Sequence, residues 1–309
     1  MTTDVILRAE GVHRSFGGVR AVDVAHFEVL RGSIVALIGP NGAGKTTFFN
    51  VLTGFERSDG GSWTFEGQDL SGRPAYAIAR TGMVRTFQSA RVFPRLSVVD
   101  NVRLGAQGQR GEQLTRAVFP WTWRAQEQAL LERARELVDW VGLGAKASDL
   151  AGTLSGGQRK LLDLARAVMA SPTLLMLDEP MAGVNPALRQ ALLDKIAELP
   201  GEGITVLFVE HDMDVVSAVS DLVVCMAEGA IIASGTPGQV AADPRVVDAY
   251  LGGSSADLRD SDRRAPLDTP VSDETADPVT AEPEALAIES AMEDVDLADL
   301  THLHDEDTT

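Results

Sequence analysis

The apolar run Ser33-Ile34-Val35-Ala36-Leu37-Ile38 leads into Gly39-Pro40-Asn41-Gly42-Ala43-Gly44-Lys45-Thr46-Thr47, and the helix-compatible stretch Thr46 to Leu52 follows. An apolar run long enough for a buried parallel strand, a glycine-rich loop and then a helix make one strand–loop–helix unit, which restricts the fold to a parallel α/β class. The loop has the phosphate-binding spacing of a glycine, four residues, then Gly-Lys-Thr. Glycines let the backbone wrap phosphate oxygens, and the positive end of the following helix faces the anion. In such a loop Lys45 reaches the β- and γ-phosphates of a nucleotide, and the Thr46 hydroxyl ligates Mg²⁺.

A second phosphate-handling element lies far downstream. Thr173-Leu174-Leu175-Met176-Leu177-Asp178-Glu179 reads as an apolar strand ending in two carboxylates. That ending places Asp178 and Glu179 at the carboxyl edge of a parallel sheet, where open α/β folds bind ligands. Asp178 is the expected Mg²⁺ carboxylate, and Glu179 the base that orients a water against the γ-phosphate.

Between the two stands Leu154-Ser155-Gly156-Gly157-Gln158, followed by the helix-like run Arg159 to Ala167. With this segment the chain resembles the ATP-binding cassette (ABC) family, whose signature has this form and precedes the Asp-Glu strand. The resemblance covers about residues 4 to 252. It implies a P-loop NTPase core of ABC type, with an antiparallel β subdomain near the N-terminus and an inserted helical subdomain. On that reading 4–90 and 155–252 form the core, 91–154 the helical insert, and 253–309 a tail. The resemblance also implies that Ser155, Gly156, Gly157 and Gln158 of one subunit cover the γ-phosphate held by the loop Gly39, Pro40, Asn41, Gly42, Ala43, Gly44, Lys45, Thr46 and Thr47 of another, so that ATP joins a dimer.

Other positions carry over one by one. Phe16, in Ser15-Phe16-Gly17-Gly18, resembles the aromatic that stacks on adenine, although an isolated Phe belongs more often to a core. Gln88, in Arg85-Thr86-Phe87-Gln88, resembles the glutamine that contacts Mg²⁺ and water and links the site to a transmembrane partner. His211, in Val209-Glu210-His211-Asp212, resembles the histidine at the γ-phosphate. One position departs: the loop Met181-Ala182-Gly183-Val184-Asn185-Pro186 has Asn185 where the family usually carries aspartate, which keeps the hydrogen-bonding shape and loses the charge. The Ala-Gly-Val-Asn-Pro run, the segment Arg85 to Pro94 and the ending Val246 to Gly252 resemble the larger of the two ATPases of branched-chain amino acid importers.

The partners so implied are transmembrane permease subunits, a second ATPase subunit that is either an identical or a similar cassette, and, indirectly, an extracytoplasmic solute-binding protein. The substrate is not written in the chain; branched-chain amino acids stand first, urea or short amides second and lipid-linked cargo third. A ribosome- or DNA-directed ATPase is the competing class, but such relatives carry two cassettes or a long coiled-coil insert. A silent scaffold is opposed by the presence of Lys45, Asp178, Glu179 and His211 together.

Charge agrees with a partner other than nucleic acid. The chain carries a net charge of −18, and residues 253–309 hold 17 acidic and 3 basic side chains, so most of that charge lies in the tail. The tail is expected to be disordered, because its composition buries too little apolar surface to offset chain entropy. A weak amphipathic helix spaced from Leu286 to Leu303 is the alternative, and His302 and His304 beside Asp305-Glu306-Asp307 are a remote metal candidate. Phe119, Trp121 and Trp123 read equally as core of the insert or as a membrane-subunit contact. Cys225, the one cysteine, lies in the apolar run Leu222 to Met226 and reads as a buried thiol. No apolar run approaches the roughly 18 residues of a membrane span. A peripheral position on the cytoplasmic face of the membrane is expected.

Overall fold

The computed structural model of the chain describes residues 4–88, 91–109 and 123–251. The tail with its expected disorder, its candidate helix and its histidines lies outside the described residues, as do Phe119 and Trp121.

The chain opens on a long hairpin, β1 (Val5–Phe16) and β2 (Val19–Leu30). Gly17 and Gly18 make its two-residue turn with φ of 52° and 89°, the left-handed conformation that matches the twist of the paired strands. β4 (Gly60–Phe65) pairs antiparallel with β1, and β5 (Gln68–Asp69) with β4, giving a four-stranded antiparallel sheet in the order β2-β1-β4-β5. This is the antiparallel element expected near the N-terminus.

The second sheet holds β3 (Ile34–Ile38), β6 (Met83–Arg85), β7 (Leu174–Asp178), β8 (Thr205–Val209), β9 (Leu222–Ala227) and β10 (Ala230–Gly235) in the order β10-β9-β3-β8-β7-β6. The strands from β9 to β6 run parallel, and β10 returns antiparallel along β9. Every residue of β3, β7 and β8 is buried, so their continuous apolar runs are those of central parallel strands covered on both faces. β8 begins at Thr205, which pairs with Leu174 of β7, and Thr205 Oγ1 accepts from Gly32 N at 3.0 Å.

Alternation along these strands divides the core in two. Val35, Leu37, Met176, Leu207 and Met226 face α1 (Lys45–Leu52) and the antiparallel sheet, where Phe27 meets Phe48 edge-on at 5.3 Å. Ala36, Ile38, Leu175, Leu177, Phe208 and Cys225 face the other way, toward the helices. After α2 (Ala75–Ala79) come α3 (Val98–Arg103), capped by Ser97, and α4 (Arg124–Trp140), which buries Ala134, Leu137 and Val138. α5 (Gly156–Met169), α6 (Pro186–Glu198), α7 (Met213–Val219) and α8 (Pro237–Ala241) follow as the remaining α-helices among the described residues. Among the described residues no helix is long and apolar enough to cross a membrane.

Candidate active site

The ends of β3, β7 and β8 lie side by side on the carboxyl edge of the parallel sheet. β3 delivers the loop Gly39 to Thr47. A Cβ on Gly39 would lie 2.1 Å from the Met226 carbonyl oxygen, and one on Gly44 2.2 Å from that of Ala21, so only glycine lets the loop press against the backbones of β9 and β2. Both are also at positive φ, 145° and 96°. No side chain caps α1, whose N-cap is Gly44, and the N–H groups of its first turn face outward for an anion. Lys45 is buried, and its ammonium donates to the carbonyls of Gly39 at 2.7 Å and Pro40 at 2.9 Å. Burial lowers its pKa, while the charges of Glu179, Cys225 and Asp178 act to raise it. Thr46 is exposed at the loop's outer edge.

β7 ends in Asp178, and Glu179 follows at a φ of 46°. Asp178 is buried and its Oδ2 accepts from Arg85 Nη2 at 2.7 Å. The Glu179 carboxylate accepts from Gln88 Nε2 at 2.8 Å. Lys160, one turn into α5, donates to the carbonyl of Gln88 and, at 3.3 Å, to that of Glu179. One ammonium thus ties the helix of the signature segment to the Gln88 segment and to the carboxylate residue, and its burial lowers its pKa.

β8 is followed by Glu210, which is buried, and His211, whose side chain is 63% exposed. The Glu210 carboxylate accepts from the N–H of Met181 at 3.0 Å and of His211 at 3.3 Å, joining the loop after Glu179 to the histidine; burial raises its pKa. Asn185 caps α6 by accepting from Leu188 N at 3.0 Å, a role that asparagine fills as well as aspartate. Ser155 caps α5 in a reciprocal box with Gln158, and a Cβ on Gly157 would meet Leu188 Cδ1 at 2.7 Å. Among the described residues no hydrogen bond joins Ser155, Gly156 or Gly157 to Gly39–Thr47. Phe16 is 44% exposed and not in the core, with the Arg14 guanidinium over its ring at 4.7 Å.

These residues suit a magnesium nucleotide. Thr46, Asp178 and Gln88 offer hard oxygen donors beside an anion cradle. Among the described residues no group of three or more His, Cys, Asp or Glu side chains could hold a metal alone, which fits an ion held largely by phosphates and water. Beside the site an apolar groove of about 630 Å³ opens between Phe55, Tyr76, Phe87, Phe93 and Leu104.

Sequence reasoning singled out the loop, the carboxylates, Gln88, His211 and the signature. It missed Arg85, Lys160 and Glu210, charged residues without a motif of their own, for which the one available signal was a charge standing where the strand or helix pattern calls for a buried side chain.

Residues 22–182 match the ABC transporter family, and 230–256 the branched-chain amino acid ATP-binding cassette transporter family. The high-affinity branched-chain amino acid transport ATP-binding protein LivG of Escherichia coli is 42% identical over 254 residues, covering 80% of this chain and 98% of the relative. BraF of Pseudomonas aeruginosa, of the same description, is 41% identical over 249 residues, with 80% and 98% covered. The probable LivG of Archaeoglobus fulgidus is 38% identical over 253 residues, with 82% and 98% covered. Among solved structures, the ADP conformation of MJ1267, an ATP-binding cassette of an ABC transporter, superposes with a TM-score of 0.71 at 36% identity, covering 81% of this chain and all 100% of that one. A nucleotide-free ATP-binding cassette gives 0.69 at 35%, with 80% and 98% covered.

Proposed function

The chain belongs to the ABC transporter family as an ATP-hydrolysing subunit, and on that footing we propose that it powers import of branched-chain amino acids through separate membrane subunits. The match of 230–256 to the branched-chain amino acid family and the printed names of the relatives support that substrate class.

In this reading Lys45 and the first-turn N–H groups of α1 hold the β- and γ-phosphates, and Phe16 offers its open face to adenine. Thr46, Asp178 and Gln88 hold Mg²⁺, which when bound neutralises charge on the phosphates. Glu179 orients the attacking water and takes its proton, and His211 contacts the γ-phosphate. The γ-phosphate is closed off by Ser155, Gly156, Gly157 and Gln158 of a second cassette, identical or similar. What supports this is that, among the described residues, the signature's hydrogen bonds are local, with Ser155 Oγ accepting from Gln158 N.

The observation that carries the coupling is the bond from Gln88 to Glu179, because the Gln88 segment also walls the groove through Phe87. The transmembrane permease seats in that groove, on Phe93 and Leu104, which are 52% and 50% exposed. We assign 4–252 to the ATPase domain, with 91–154 as its helical subdomain and 253–309 as an appended tail, and place the protein peripherally on the cytoplasmic face of the membrane. Selection of the solute falls to the permease and an extracytoplasmic binding protein.

Reconstitution with the permease pair in liposomes tests this. ATP should drive uptake of leucine, isoleucine and valine, and Gln88→Ala should cut uptake about tenfold or more while lowering ATP affinity by a smaller factor. Uptake of urea or short amides without branched-chain amino acids would overturn the substrate, and an equal loss of ATP affinity would overturn the coupling role.

A further inference from the structure

Arg85 ends β6, the edge strand, beside Met176 of β7. Alternate residues of a strand share a face, so Arg85 emerges with Met176 and Asp178 on the face covered by α1. Both terminal nitrogens of its guanidinium are engaged there. Nη2 donates to Asp178 Oδ2 at 2.7 Å, and Nη1 to Asn50 Oδ1 at 2.7 Å and Thr53 Oγ1 at 3.1 Å. The two side chains of the ion pair are 5% and 8% exposed. The rings of Phe49, Phe55 and Phe87 surround the guanidinium with centroids 5.6, 5.9 and 5.7 Å from Cζ. Asn50 belongs to the helix that follows the phosphate loop, and Phe55 and Phe87 line the groove.

Stability does not explain this arrangement. A buried ion pair roughly breaks even against apolar side chains of the same volume, and Arg85 Nε–H has no partner among the described residues. What the pair does is fix one oxygen of Asp178 and leave the other, Oδ1, without a hydrogen bond among the described residues. We propose that Arg85 is a positioning residue that aims the Asp178 carboxylate at the nucleotide's metal ion, held in place by the phosphate-loop helix on one side and the groove aromatics on the other. Lysine cannot replace it, since a point ammonium does not reach Asp178, Asn50 and Thr53 together as a planar fork does. The inference rests on Asp178 as the metal carboxylate.

The test separates metal binding from turnover. Electron paramagnetic resonance of Mn²⁺, standing in for Mg²⁺, is measured on the full chain with bound ADP, and ADP affinity is measured separately in EDTA. Arg85→Lys and Arg85→Met should weaken Mn²⁺ binding about tenfold or more, as loss of an outer-shell partner does, with ADP affinity in EDTA changed less than twofold. On an Asp178→Asn background Arg85→Lys should add less than a further twofold. If Arg85→Met does not fold, Arg85→Lys decides. Unchanged or tighter Mn²⁺ binding in the Arg85 variants, or a parallel loss of ADP affinity in EDTA, overturns the positioning role. If Asp178→Asn itself leaves Mn²⁺ affinity intact, the role given to Asp178 fails and this one with it.

Discussion

Glu179 sits at a φ of 46°, a left-handed backbone that costs a residue with a Cβ about 1–3 kcal/mol and persists where its surroundings impose it. Those surroundings are visible: its N–H donates to Val209 O at 3.1 Å, its carbonyl accepts from Lys160, and its carboxylate from Gln88. The strain aims the carboxylate from the sheet edge into the site. Glu179→Gln keeps size and hydrogen-bonding shape but removes basicity, so single-turnover hydrolysis should slow by roughly 10²- to 10⁴-fold while equilibrium ATP binding survives; hydrolysis at the parental rate would remove Glu179 from its role. Cys225 makes the opposite case at the same scale. It is 0% exposed, and burial pushes its thiol up to about 11, so the thiolate is scarce in the native state. Thiol titration at about pH 8 should find no reactive group in the folded protein and one per chain after denaturation, because the thiolate is the nucleophile. Rapid native labelling would contradict the burial.

Elements set the spacing between these residues, and their caps show why some were readable in the sequence. Ser155 and Gln158, three residues apart, form the reciprocal box that starts α5, a pattern any reader of caps finds. The phosphate loop and the Asp178–Glu179 strand were legible for the same reason: each is a local motif whose physics is contained in a few consecutive residues. Arg85, Lys160 and Glu210 were not legible, since their partners are 93, 72 and 29 residues distant in the chain and only the sheet order brings them together. Asn185 keeps the hydrogen-bonding shape of an aspartate without its charge, and the structure uses that shape as the cap of α6. Asn185→Ala should therefore lower unfolding free energy by about 1 kcal/mol and Asn185→Asp leave it nearly unchanged, as denaturant melts would register. Equal losses in both would show that the charge, not the cap, matters there.

At the scale of the molecule, the described residues keep the two halves of the proposed nucleotide site apart. The loop, Asp178, Glu179, Gln88 and His211 gather at the ends of β3, β7 and β8, while among the described residues the signature segment hydrogen-bonds within its own helix and packs by Gly157 against α6. In the proposed function a second cassette completes the site, with ATP enclosed between the loop of one and Ser155-Gly156-Gly157 of the other. Binding to the dimer alone then stabilises the dimer by mass action. Light scattering during size-exclusion chromatography of the Glu179→Gln protein, with and without Mg-ATP and with its natural partner cassette if the pair is heteromeric, tests this most directly. The account predicts a dimer that appears only with Mg-ATP and disappears when Ser155→Arg is added; a protein that stays monomeric with Mg-ATP, or a dimer indifferent to ATP and to Ser155→Arg, would contradict it.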